Sequence, residues 1–234
     1  LTMARNMAVE HNSSIAFFSL EMSSVQLVKR LMISETGLSA EKIKGGKKLE
    51  EYEWEQLNMK IKSLVKAPMY IDDTPSLSVN ELRSKARKLV SLHGVKAIII
   101  DYLQLMTGPA ELRGMREQEV SAISRSLKAI AKELNVPVIA LSQLSRAVET
   151  RGGTKRPQLS DLRESGAIEQ DADLVLFIHR QDYYGLSDDT QTTPGLTDII
   201  IAKHRNGAVC DVQLRFRNSE VKFVDVTDPA LNSG

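Results

Sequence analysis

The sequence predicts an α/β fold: a mostly parallel sheet flanked by helices, with antiparallel strands at its carboxyl end. Three observations carry this expectation. Ala97-Ile98-Ile99-Ile100-Asp101-Tyr102 is a continuous β-branched apolar run, the pattern of a strand buried on both faces. From Ser14 to Leu141 strand-like and helix-like segments alternate, which demands right-handed crossovers between parallel strands. After Ala172 the helical spacing stops, and apolar runs joined by shorter connections take over.

Each element has a local reason. Leu1, Ala4, Met7 and Ala8 form a helical stripe with no capping residue before it, so the helix is expected to begin upstream. Ser14 to Leu20 reads as a strand, and Ser23 then opens a helix running to about Thr36 before Gly37. Trp54, Leu57, Ile61, Leu64 and Val65 fall at helical spacing within residues 50–66, and Ala67-Pro68 ends that helix before the short strand Met69-Tyr70-Ile71. A helix over Ser78 to His93, the strand ending at Asp101, a helix from about Met115 to Leu134 and the strand Val136 to Leu141 continue the alternation. Leu174 to His179, Leu196 to His204, Ala208 to Phe216 and Val221 to Val226 are the later strands. The last two turn through Arg217-Asn218-Ser219 and fit an antiparallel hairpin added to the sheet edge.

Composition narrows the class without naming a function. A chain of 234 residues suits one large α/β domain that buries roughly three-quarters of its unfolded surface. The single cysteine, Cys210, allows no intrachain disulfide, and His11, His93, His179 and His204 have no zinc-ligand spacing. A reducing, cytoplasmic setting is expected. No apolar run reaches about 18 residues, so no membrane partner is expected. The net charge of +1 means that nucleic-acid binding needs a local basic patch.

Chemistry gathers where strands end. An acid at the carboxyl end of a buried parallel strand sits where open α/β sheets bind ligands, and in P-loop NTPases it holds Mg²⁺ against the phosphates. Asp101 is the candidate, although strands also end in Asp for ordinary capping. Tyr102 follows it instead of a second acid, so a water-activating base must come from elsewhere. Glu21, at the end of another strand, is the candidate base; its plainer role is to favour the following helix through the dipole. The strand Val136 to Leu141 leads to Gln143, whose amide could bond both a γ-phosphate oxygen and water, or simply face solvent. The phosphate-cradling pattern G-x-x-x-x-G-K-[ST] does not occur. Gly45-Gly46-Lys47-Lys48 lacks both the preceding strand and the following hydroxyl, and reads as a solvated loop.

Phe18-Ser19-Leu20-Glu21-Met22, Ile100-Asp101-Tyr102-Leu103-Gln104-Leu105-Met106, Leu141-Ser142-Gln143-Leu144-Ser145-Arg146 and the stretch Asp161-Leu162-Arg163-Glu164-Ser165-Gly166 through Asp173 occur in one order. With Lys203-His204-Arg205-Asn206-Gly207 they cover nearly the whole chain, which resembles the carboxyl-terminal motor domain of the DnaB family of bacterial replicative helicases. The resemblance implies a RecA-like P-loop NTPase core, with residues 1–234 forming a single helicase carboxyl-terminal domain that lacks its first strand and Walker A loop. It implies ATP and Mg²⁺ as cofactors and a homo-hexameric ring around single-stranded DNA, with ATP sites between subunits. In the intact protein, hydrolysis would drive translocation and duplex unwinding, with a primase and a helicase loader as partners. These residues alone, without the Walker A loop, are expected to hydrolyse little or no ATP.

The same resemblance gives the remaining candidates. Lys203 and Arg205 lie two apart on a strand end, so both project to one side while His204 points to the other. By resemblance they are the cationic fingers inserted into a neighbour's ATP site; read alone, they are a basic turn before Asn206-Gly207. Arg146, Arg151, Lys155, Arg156 and Arg163 gather in a loop that enters a short helix at Asp161-x-x-Glu164, a capping-box variant. By resemblance Arg163, Glu164 and Gly166 line the DNA channel and meet the phosphate backbone; the plain alternative is a surface loop. Met3, Met7, Met59 and Met69 read as core or interface filler, and His11 and His93 as partners of helix carboxyl ends. Residues 181–194, including Tyr183, Tyr184, Asp188 and Asp189, read as a long loop at a subunit contact. Two other readings compete: a RecA- or RadA-type recombinase, which the Asp-Leu-Arg-Glu-Ser-Gly block opposes, and a non-hydrolysing ring or scaffold module.

Overall fold

The structure, a computed structural model, describes residues 1–153, 155–180, 182–184 and 194–226, with backbone alone at 163–165 and 184. The first half builds a parallel sheet from β1 (Ile15–Ser19), β2 (Met69–Asp72), β3 (Ala97–Asp101) and β4 (Val138–Ala140), in the order β2-β1-β3-β4. Between them run α2 (Ser24–Thr36), α3 (Ala40–Ile43), α4 (Glu51–Lys66), α5 (Val79–His93) and α6 (Arg116–Leu134). The chain opens with α1 (Thr2–Arg5), which widens into a π-helical turn over Asn6–Glu10 that a 3.6-residue stripe does not foretell.

Helix limits follow the caps. Ser23 and Ser78 each form a reciprocal capping box with the residue three positions on, Gln26 and Glu81, while Gly37 and Gly94 end α2 and α5 in the left-handed conformation. The β1 and β3 side chains alternate between two apolar clusters. Ala16, Phe18, Ile98 and Ile100 pack with Leu82, Ala86, Ile123, Leu127 and Ile130 from α5 and α6. Ile15, Phe17, Ala97 and Ile99 face Ala4, Ala8 and Leu27 on the other side. Both strand faces are therefore dry, and each large side chain so buried contributes about 1.5–3 kcal/mol of hydrophobic stabilisation.

The second half is a separate antiparallel sheet, β5 (Leu174–His179), β6 (Leu196–His204), β7 (Asp211–Arg217) and β8 (Lys222–Asp225), hydrogen-bonded in chain order. The β7–β8 hairpin forms as expected, but it extends β6 and not the parallel sheet. Leading into this sheet are α7 (Ala147–Thr150), a 3₁₀ segment Leu159–Ser165 and α8 (Gly166–Asp171). Leu162, Val175, Phe177 and Ile200 form its core, and Ile168 of α8 packs against both this cluster and the α5–α6 side of the first sheet. The opposite face of β5 leaves Leu174, Leu176 and Ile178 exposed.

Several side chains depart from expectation. Met7 and Met69 pack beside the α1 cluster, but Met3 and Met59 are exposed, as are Trp54 and Val65 of α4. His93 ends α5 and stacks on Tyr70 at 4.3 Å. The Gly45–Lys48 turn is exposed, as read from the sequence. The cap of the 3₁₀ segment is Gln158, not Asp161. The Asp161 carboxylate folds back to accept the Gln158 N–H at 2.7 Å and is held there by Arg151.

Candidate functional site

Three of the sequence candidates meet on one edge. In the order β1-β3-β4, Ser19 pairs with Asp101 and Ile100 pairs with Ala140, all strands running the same way. Glu21, Asp101 and Gln143 therefore leave consecutive strands at their carboxyl ends, over a width of about two strand spacings, roughly 10 Å. The Leu20 N–H donates to the Asp101 carbonyl at 2.7 Å, holding the two turns together. The peptide bond after Asp101 is cis.

The turn that presents Glu21 is built by Ser19. Its buried hydroxyl donates to the Met22 carbonyl at 2.7 Å and accepts the Met22 N–H at 3.2 Å, leaving Glu21 exposed. Glu21 precedes the Ser23 cap and lies outside α2. The acid that serves the amino end of α2 is Asp73, whose carboxylate accepts the Ser24 N–H at 2.7 Å and titrates below its usual range because of that bond. The hydrogen-bonded acid at that helix end is therefore Asp73, while Glu21 stands exposed just before the cap.

Asp101 is the electrostatic centre of this edge. Burial pushes its carboxyl above the ordinary range; the Glu21 carboxylate raises it further, while Arg30 pulls it down. Glu21 and Arg30 are therefore both within electrostatic reach of Asp101. Arg30, exposed on α2, escaped the sequence reading because helical position alone does not reveal that it lies within reach of this carboxylate.

Gln104 was also missed. It lies in the 3₁₀ turn Leu103–Leu105 just beyond β3. Its side-chain carbonyl accepts the Gln143 N–H at 3.2 Å, and its amide donates to Ser142 Oγ at 2.9 Å and to the Gln143 carbonyl at 3.2 Å. No sequence spacing announces a bond between loops 39 residues apart. The Gln143 side chain itself is exposed, with no hydrogen-bond partner given by another described residue.

The donor set fits a hard divalent cation held mainly by phosphates and water. One half-buried carboxylate, Asp101, with a second, Glu21, nearby suits Mg²⁺, which is bound through one or two protein carboxylates in such sites. Among the described residues no group of three or more His, Cys, Asp or Glu side chains forms an all-protein metal cage.

The structure does not bring Lys203 and Arg205 to this edge. Both reach the carboxyl end of α8: Lys203 donates to the carbonyls of Glu169 and Gln170, and Arg205 to that of Gln170, while His204 turns away to the Ala208 carbonyl. Arg205 also pairs with Asp173 at 3.4 Å, and Asp173 with Lys128. The two cations do project together, as their spacing predicted.

The basic loop is less free than its composition suggested. Arg151 pairs with Asp161, and Arg156 with Asp198 and Asp211. Arg146 remains exposed. The side chains of Arg163 and Glu164 lie outside the described residues; their backbone continues the 3₁₀ segment into α8. Gly166 is exposed, and a Cβ there would meet open space. In the 181–194 loop, Asp182 pairs with Arg180 and accepts the Gly195 N–H at 3.1 Å; Asp188 and Asp189 lie outside the described residues.

Comparison with known proteins matches residues 1–225 to the family model described as DnaB-like helicase C terminal domain. The replicative DNA helicase DnaB of Geobacillus stearothermophilus is 50% identical over 226 residues, covering 97% of this chain and 49% of the relative. The chain thus spans about half the length of the curated relatives it matches. A solved DnaB-like replicative helicase, described with its interactions with primase, superposes with a TM-score of 0.88 at 40% identity, over 96% of this chain and 53% of that one. The RadB recombinase shares the fold alone, with a TM-score of 0.52 at 17% identity over 96% of this chain and 84% of that one.

Proposed function

Because the chain belongs to the family of DnaB-like helicase C-terminal domains, we propose that it is the RecA-like motor of a replicative helicase, coupling ATP hydrolysis to movement along single-stranded DNA and to duplex unwinding. The observation that carries the reading is the convergence of Glu21, Asp101 and Gln143 on consecutive strand ends, with Glu21 acting electrostatically on Asp101.

In this reading Asp101 would hold Mg²⁺, which when bound would supply charge neutralisation to the triphosphate. Glu21 takes the proton of the attacking water, a role worth about 10²- to 10⁴-fold in rate. Gln143 bonds the γ-phosphate and so distinguishes ATP from ADP. Lys203 and Arg205 act across a subunit interface within a homo-hexamer, and Arg163, Glu164 and Gly166 meet the DNA backbone. Primase and a helicase loader are the partners, in the cytoplasm; the relative structure described with primase supports the first of these.

The phosphate-cradling pattern G-x-x-x-x-G-K-[ST] does not occur among these residues. These 234 residues alone therefore hydrolyse little ATP, and the non-hydrolysing module describes this stretch but not its parent. The test is strand displacement and ATP turnover by the intact protein: Glu21→Gln should abolish both while ATP still binds. Undiminished turnover would refute the assignment of the base.

A further inference from the structure

Gln143 can report on a γ-phosphate only if its backbone is held, yet β4 ends three residues before it, at Ala140. The last backbone bonds between the two strand ends are Leu141 N–H to Ile100 at 2.9 Å and Leu103 N–H to Leu141 at 3.0 Å. Beyond them the Gln104 side chain takes over. It engages both the N–H and the carbonyl of Gln143, and it also binds the Ser142 hydroxyl. Gln104 is itself anchored, because Leu103 is buried in the core and Arg116, the first residue of α6, donates to the Gln104 carbonyl.

We propose that Gln104 is the positioning residue for Gln143, a side-chain splint that makes the strand end bearing Asp101 and the strand end bearing Gln143 move as one unit. The inference rests on the reading of Gln143 as the group that bonds the γ-phosphate. With both main-chain groups of Gln143 committed to the splint, its Cα is fixed while its side-chain amide remains available. Two residues on, the Ser145 N–H donates to the Asp161 carbonyl at 3.1 Å, inside the 3₁₀ segment that runs to Ser165. A displacement of Gln143 is thereby passed toward residues 163–166.

A splint acts on the chemical step more than on ATP binding, since misplacing a catalytic group by about 1 Å can cost 10²-fold. In the intact protein, Gln104→Ala should lower kcat by up to about 10²-fold with KM and the melting temperature unchanged. In a Gln143→Ala background it should cause no further loss, because the two act through one group. Gln104→Glu adds a second readout. A carboxyl both donates and accepts only when protonated, so hydrolysis by this variant should recover, relative to the parent, as pH falls. An unchanged kcat in Gln104→Ala, losses that multiply in the double variant, or a Gln104→Glu profile parallel to that of the parent would each overturn the splint while leaving Gln143's role intact. Full hydrolysis by Gln143→Ala alone would overturn the reading beneath it, and the splint with it.

Discussion

Arg205 donates to the carbonyl oxygen of Gln170 at 3.2 Å, which places the cationic tip of β6 on the carboxyl end of α8. The last carbonyls of a helix lack intrahelical partners, and a cation there also meets the negative end of the helix dipole. Lys203 does the same at Glu169. Residues 163–165 run directly into the amino end of this helix. The side chains proposed to reach a neighbour's triphosphate are therefore parked, in the isolated chain, on the helix behind the proposed DNA loop.

The proposed homo-hexamer, with Lys203 and Arg205 acting across its interface, predicts the behaviour of mixed assemblies. Arg205→Ala should lower ATP turnover of the intact protein by about 10³- to 10⁵-fold. Mixing it with Glu21→Gln subunits should restore part of the activity, because one subunit then supplies Glu21 and the next supplies Arg205. Turnover measured across mixing ratios decides: no recovery at any ratio means that the two residues serve the same subunit.

The basic loop predicts a contrast between two arginines. Arg163→Ala should lessen the salt dependence of single-strand binding, by about 0.7 in the logarithmic slope for each phosphate no longer neutralised. Arg156→Ala should leave the slope unchanged, because its guanidinium is committed to Asp198 and Asp211. Equal effects of the two substitutions, measured by DNA titration between about 50 mM and 200 mM salt, would remove the channel role from residues 163–166.

The parallel half was legible because its information is local. Ile98 to Ile100 are buried on both faces and read as one apolar run, and Ser23, Gly37, Ser78 and Gly94 mark the helix limits within a few residues. Glu21, Asp101 and Gln143 stood out for the same reason, since each lies at or just past the end of such a run. What the sequence hid is non-local. Arg156 reads as a free cation until Asp198 and Asp211 arrive 42 and 55 residues later. The Gln158 cap was misread because Asp161, which resembles a cap, is drawn back by Arg151. The sheet to which the last hairpin belongs is set by β6, and Gln104 acquires meaning only beside Gln143.

Ser78 tests how much one cap contributes. Its hydroxyl accepts the Glu81 N–H at 3.3 Å, and Glu81 accepts the Ser78 N–H at 3.0 Å. Ser78→Ala should cost about 1 kcal/mol, seen as a lower denaturation midpoint with an unchanged slope. α5 covers the sheet face that holds Ile98 and Ile100, so the loss should appear in global unfolding and not as local fraying.

Glu53 predicts a pH dependence of stability. Its carboxylate is buried yet accepts two bonds from Lys42 Nζ, at 2.6 and 2.7 Å, and the Glu50 N–H at 2.9 Å, joining α3 to α4. The Lys42 bond, then the Glu50 amide, hold Glu53 below the usual glutamate range, and Glu53 in turn raises Lys42. A carboxyl whose pKa falls on folding contributes stability that is complete above its unfolded value, about 4.3, and is lost as pH falls through the folded value. The raised lysine contributes below its own unfolded value, about 10.4, and that contribution is lost only as pH rises through the folded value. At pH 7 both conditions hold, and the Lys42–Glu53 ion pair is at full strength. Glu53→Gln should therefore be less stable than the parent at pH 7, and the gap should narrow as the pH drops from about 5 toward 3, because below about 4.3 the unfolded parent takes up a proton that the folded carboxylate resists. Melting temperatures of both proteins across that range check the sign. A gap that stays constant to the acid end of that range would mean that the pair contributes by shape and packing instead of by charge.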